Sequence, residues 1–220
     1  MNDEVELEIT CIHCLEKGTK KLFPIIKSDN LRAKELIFND ELFLYRCSHC
    51  GHYQKIVYEC VYYDDKLKYA VILSHDGSKK ISKMEVNKYQ IRFVKELNEL
   101  KEKIIIKEHN LDDRIVEIMK NKIRSTITSK ATYRLFLVND HNELVFMLVY
   151  PNNEIIKTYT FDYTMYFDLK NKYEKSLLDD YIVDAKYASK IILNSDDIIR
   201  DKQINADISK VFRLKFLCNN

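Results

Sequence analysis

Apolar and polar positions divide the chain into short alternating runs and a few stretches with helical spacing. "KKLFPIIKS" is rich in β-branched and aromatic residues and carries one proline. That suits an edge strand, because proline has no amide to give to a neighbour. In "DNLRAKELI", Asp29 is placed to cap a short helix. Further on, "KIVYECVYY" and "KLKYAVILS" alternate on either side of the turn signal Asp64-Asp65 and predict a β-hairpin. Residues 76–90 are polar and read as a loop, after which "IRFVKE" reads as a short strand.

Two helical patterns follow. Leu97, Leu100, Ile104 and Ile105 in "NELKEKIIIKEH" approximate a 3.6-residue period, and Leu111, Ile115, Ile118, Met119 and Ile123 repeat it in "LDDRIVEIMKNKI". Each should lay one face on a core. From about residue 130 the alternation returns: "TYRLFLV" and "ELVFMLVY" flank the turn signal "NDHN", and "EIIKTYTF" supplies a third strand. Helices are expected through "YTMYFDLKNKYEKSLL" and "VDAKYASKIIL". The expected fold class is α+β, with an N-terminal module joined to antiparallel hairpins and packed helices. Its expected boundaries are residues 1–130 for the first region, 131–193 for a C-terminal α+β region that is either separate or part of the same domain, and 194–220 for a tail.

Composition narrows the class. At 220 residues the chain can bury a core without staples, and three glycines, two prolines and no tryptophan argue for dense regular structure rather than long linkers. A net charge of +2 gives no global pull on nucleic acid or on an anionic membrane, so any such contact must be local. The start, "MNDEVELEIT", lacks the basic end and apolar core of a signal peptide, and no apolar run approaches the roughly 18 residues of a membrane span. The expectation is a cytoplasmic protein without a membrane partner.

The cysteines change the picture most. Cys11 and Cys14 form one pair, Cys47 and Cys50 another, and 32 residues separate the pairs. Two residues between cysteines let a tight turn aim both sulfurs at one ion, and the second pair closes a tetrahedron from another loop. Gly51 follows the second pair, where positive φ lets backbone amides approach the sulfurs. The pattern points to zinc at Cys11, Cys14, Cys47 and Cys50. Iron in a rubredoxin-like site is the rival, and thiol-disulfide exchange is weaker because it needs an exposed low-pKa cysteine at a helix start. With sulfur at all four positions no place is left for a water, so the role is structural. Cys60 reads as a buried free thiol and Cys218 as part of the tail. His13 and His49 sit inside the hooks, where side chains point outward.

No catalytic residues are assigned and no organic cofactor is implied, since a phosphate-cradling glycine loop and a hydrolase elbow are both missing. Asp112, Asp113 and Glu117 could be imagined as a metal-binding acid cluster, but acids in the first helical turn follow from the macrodipole alone. The stretch 119–134 holds Lys120, Lys122, Arg124, Lys130 and Arg134 with no acid and aromatics close behind. It is the candidate surface for single-stranded nucleic acid.

The order of the two hooks, "ELFLYRCSHCGHYQKIVYECVYYDD", the block "LKEKIIIKEHNLDDRIVEIMK" and "YIVDAKYASKII" resembles the CpXC domain family of bacteria over roughly residues 9–193. Ile12 and Ser48 stand where that family has proline, and His109-Asn110 stands where a glycine is expected before "LDD". The prolines stiffen the turn rather than ligate. The resemblance implies a zinc-ribbon-like N-terminal module and carries no established activity. Together these readings give a zinc-binding scaffold for an interaction module whose partner is another protein, with a nucleic-acid-binding or processing protein using residues 119–134 as the alternative.

Overall fold

A computed structural model describes residues 4–74, 88–128, 131–138 and 143–194. Most of the expected 76–90 loop, the "NDHN" turn, His75, Lys130, His141, Asp196, Asp197, Cys218 and the tail beyond residue 194 lie outside the described residues. The chain forms two compact units, residues 1–101 and 102–220.

In the first unit, β1 (Val5–Thr10) and β2 (Lys17–Leu22) form an antiparallel hairpin. Phe23-Pro24 then interrupts "KKLFPIIKS", so that β3 (Ile25–Lys27) joins a different sheet. The prediction of an edge strand holds for β3, which pairs in parallel with one neighbour only. The helix α1 (Leu31–Phe38) is capped by Asn30, whose Oδ1 accepts the Ala33 amide at 3.0 Å. Asp29 therefore stands one residue too early to be the cap. The helix ends where Asp40 takes φ 63° and the Glu41 amide donates back to Leu36 O at 2.9 Å, an arrangement that satisfies otherwise orphaned carbonyls.

After α1 come a second hairpin, β4 (Leu44–Arg46) with β5 (Tyr53–Lys55), and then β6 (Cys60–Asp64), β7 (Tyr69–Leu73) and β8 (Gln90–Val94). The larger sheet runs β3-β6-β7-β8. The expected β6–β7 hairpin is present, with Cys60 opposite Leu73. Its turn is held by Asp64, whose Oδ1 accepts the amides of Lys66 and Leu67, both at 2.8 Å. A short polar side chain mimicking a backbone turn is the physical content of that signal. Cys60 is buried as a free thiol, and burial pushes its pKa up to about 12.

The helix α2 (Leu97–Glu108) begins in the first unit and ends in the second. It stops at Asn110, which takes φ 55°, with the Leu111 amide donating to Ile106 O at 2.9 Å. This is the position where a glycine was expected. Asparagine is the residue that tolerates the left-handed region next best, so the chain ends the helix in the same way.

The second unit continues with α3 (Asp113–Ser125), the antiparallel sheet of β9 (Arg134–Leu137), β10 (Leu144–Val149) and β11 (Ile155–Phe161), α4 (Tyr163–Tyr173) with a 3-10 turn after it, and α5 (Ala185–Asn194). Its core joins Ile115, Ile118, Met119 and Ile123 of α3 to Leu137, Phe146 and Phe161 of the sheet and to Tyr166, Tyr187 and Ile191 of the later helices. The fold is thus mixed α+β, with five α-helices and several small sheets among the described residues.

One part of this unit departs from the amphipathic expectation. Glu102, Lys103, Asp113, Glu117, Lys120 and Lys122 are all buried, at most 7% exposed. Lys120 Nζ lies 2.9 Å from Glu102 and 2.8 Å from Glu117, and Glu117 also pairs with Arg124 at 2.9 Å. Lys103 Nζ reaches Asp113 at 2.7 Å and Val183 O at 3.2 Å. The second oxygen of Glu102 accepts the Leu137 amide at 2.7 Å. Burial raises the pKa of Glu102, whereas Lys120 and Arg124 overcome burial at Glu117 and hold its carboxyl below the ordinary range.

Desolvation makes such charges tolerable only in company. Glu102→Ala is expected to destabilise the protein by about 3–5 kcal/mol in urea unfolding, because it removes one of the two carboxylates that hold Lys120 and leaves the buried Leu137 amide without its acceptor.

Candidate metal centre

Each cysteine pair occupies the turn of a hairpin. Residues 11–16 connect Thr10 of β1 to Lys17 of β2, and residues 47–52 connect Arg46 of β4 to Tyr53 of β5. Both six-residue turns are built alike. Cys11 N donates to Glu16 O at 2.9 Å and Leu15 N to Cys11 O at 3.0 Å; Cys47 N donates to His52 O and Gly51 N to Cys47 O, both at 2.9 Å. The residue after the second cysteine takes positive φ in each case, 62° at Leu15 and 73° at Gly51. Gly51 is where the sequence placed it. Leu15 meets the same demand with a side chain that disfavours it, and nothing in its spacing announced this.

The Sγ atoms of Cys11, Cys14, Cys47 and Cys50 all lie within 4.8 Å of one another. Across the two turns, Cys11 Sγ is 3.7 Å from Cys50 Sγ, and Cys14 Sγ is 3.6 Å from Cys47 Sγ. A disulfide would need about 2.05 Å, so these are free thiols. Four sulfurs held tetrahedrally about 2.3 Å from one ion stand roughly 3.8 Å apart along each edge. The donor set and its spacing fit a four-coordinate metal, and this cluster could hold one.

Electrostatics inside the cluster follow the turn geometry. The Cys14 amide, with that of His13 at 3.4 Å, points at Cys11 Sγ and brings its pKa down to about 7. The amides of Cys50 and His49 lower Cys47 in the same way. Cys14 benefits from the Glu16 amide, but burial and the other thiols prevail and push it up to about 12; Cys50 is raised likewise.

Other groups join the two turns. Gln54 on β5 accepts the Ile12 amide at 3.0 Å and donates to Thr10 O at 3.4 Å, so one side chain stitches the start of the first turn to the second hairpin. The rings of His13 and His52 stack with centroids 5.3 Å apart. Beneath the sulfurs, Ile9 and Tyr45 pack with Cys11 and Cys47. Gly18 leaves room for Tyr45, because a Cβ there would collide with the tyrosine hydroxyl. His49 is exposed, as expected for an inner hook position.

The remaining candidates are drawn away from chemistry. Asp112 caps α3, accepting the Arg114 amide at 2.9 Å and pairing with the Arg114 guanidinium. Asp113 and Glu117 point to different lysines, so these three acids form no shared site. In the basic stretch, Lys120 and Lys122 are buried and Arg124 is paired with Glu117. Lys120 and Lys122 thus belong to the interior, Arg134 is half-buried, and Lys130 lies outside the described residues.

The sequence model of the CpXC protein family matches residues 9–120, just over half of the chain. The chain belongs to the CpXC family. The CpXC match contains both hooks and ends within α3, so the resemblance drawn through "YIVDAKYASKII" is not part of it. No curated protein and no solved structure matches this CpXC chain.

Leu15 tests the turn geometry. Its side chain is 74% exposed, so Leu15→Gly loses little burial and relieves a left-handed conformation that disfavours L residues by about 1–2 kcal/mol. After the entropy of the added glycine is subtracted, the variant should be stabilised by about 0.5–1 kcal/mol, seen as a higher Tm with unchanged metal content.

Proposed function

We propose that this CpXC protein is a zinc-binding scaffold. In this reading Cys11, Cys14, Cys47 and Cys50 hold one zinc ion, and the ion fixes two hairpin turns as a module that docks on another protein. The observation that supports it best is the convergence of four sulfurs from two unpaired hairpins to within 4.8 Å. Zinc bound by four thiolates has no open position, so it would supply folding free energy rather than Lewis acidity. Residues 11–16 and 47–52 provide the ligands and the amides directed at them; Gln54 and the His13–His52 stack would keep the turns in register while the metal is acquired.

The docking role is supported by what the ribbon leaves outside. Ile12 is 70% exposed and Leu15 74%, both at the tip of the first turn. Large apolar side chains at a rigid, metal-braced tip favour a protein surface over a phosphate backbone. No helix among the described residues is long and apolar enough to cross a membrane.

Elemental analysis of the purified protein is expected to give one zinc per chain and no visible absorption from iron. Cys47→Ser should lose most of the metal and lower the Tm of the N-terminal unit, and a strong chelator should reproduce that shift in the unmodified protein. A chain with no zinc, or an unchanged melting curve in Cys47→Ser, would overturn the reading.

A further inference from the structure

The outward face of the β4–β5 hairpin carries a pattern that neither the metal site nor the core uses. From Tyr53 to Glu59 exposure alternates strictly, placing Tyr53, Lys55 and Val57 outside while Gln54 and Ile56 turn toward the cysteine cluster. Across the hairpin, Arg46 stands opposite Tyr53 and Leu44 opposite Lys55. The face therefore exposes three large apolar side chains, Leu44 at 36%, Tyr53 at 53% and Val57 at 59%, interleaved with two cations.

Arg46 lies over the Tyr53 ring at 5.5 Å, and neither Arg46 nor Lys55 makes an ion pair among the described residues. The acid nearest along the strand, Glu59, already accepts from Ser74 Oγ at 2.7 Å. Elsewhere in this unit exposed lysines do find acids: Lys17 pairs with Glu8 and Lys21 with Glu4. Two cations without an ion pair are thus set among apolar residues on a two-stranded sheet.

We propose that this face docks an acidic, amphipathic peptide segment of a partner protein, its carboxylates meeting Arg46 and Lys55 and its apolar side chains covering Leu44, Tyr53 and Val57. The inference rests on the scaffold reading, since the metal holds the turn from which both strands spring. Charge complementarity selects the occupant. A second copy of the same face would set cation against cation, and Tyr53, the one aromatic ring among these residues, already carries the Arg46 guanidinium against it.

The test uses the full-length zinc-loaded protein and three fluorescein-labelled probes: a 12-residue peptide alternating glutamate with leucine and phenylalanine, the same peptide with lysine for glutamate, and a 12-nucleotide oligothymidylate. Fluorescence anisotropy at low salt should show binding of the acidic peptide alone. Arg46→Glu with Lys55→Glu should weaken it at least tenfold and Val57→Ser a few-fold, with zinc stoichiometry and Tm unchanged in both. Absence of peptide binding, an unchanged Kd in the charge-reversed variant, or tighter binding of the oligothymidylate would each overturn the proposal. Zinc content measured on the same samples separates the two readings: a metal-free chain defeats the scaffold, whereas a loaded chain that ignores the peptide defeats only the docking face.

Discussion

The two N-terminal hairpins meet where four sulfur atoms are brought within 4.8 Å of one another. No strand pairing joins the β1–β2 hairpin to the β4–β5 hairpin. Between them stand a glutamine, a pair of stacked histidines and a small cluster under the cysteines. Four thiolates so close would repel one another, and a divalent cation held between them would reverse the sign of that interaction.

The second unit solves a different problem by similar means. Glu102, Lys103, Asp113, Glu117 and Lys120 sit inside because each of them has a partner of opposite sign at hydrogen-bond distance. Lys120 is held between two carboxylates, one of them 18 residues earlier on another helix.

How much of this was legible follows from the range of each interaction. The hooks could be read because soft ligands two residues apart have few other uses, and the hairpins β6–β7 and β9–β10–β11 because alternation is a local property. The helix cap was misplaced by one residue because Asp29 and Asn30 are both competent and only the chain's entry angle chooses between them. The burial of Lys120 and Lys122 was not legible for a deeper reason: a charged residue reveals nothing locally about a partner such as Glu102. Gln54 was missed for the same reason, since its two hydrogen bonds cross 42 and 44 positions of sequence. Leu15 was missed because the chain uses an ill-suited residue in a conformation that Gly51 announces openly.

Glu102 has a further consequence through its second oxygen. The Leu137 amide that it accepts lies on β9, at the margin of a three-stranded sheet whose other neighbour is β10. Val138 donates to Val145 across the β10 side, so the Leu137 donor faces away from the sheet. An open donor there would offer a foreign strand its first rung. Glu102 fills it with a buried carboxylate, so that rung of the border is closed to a further strand.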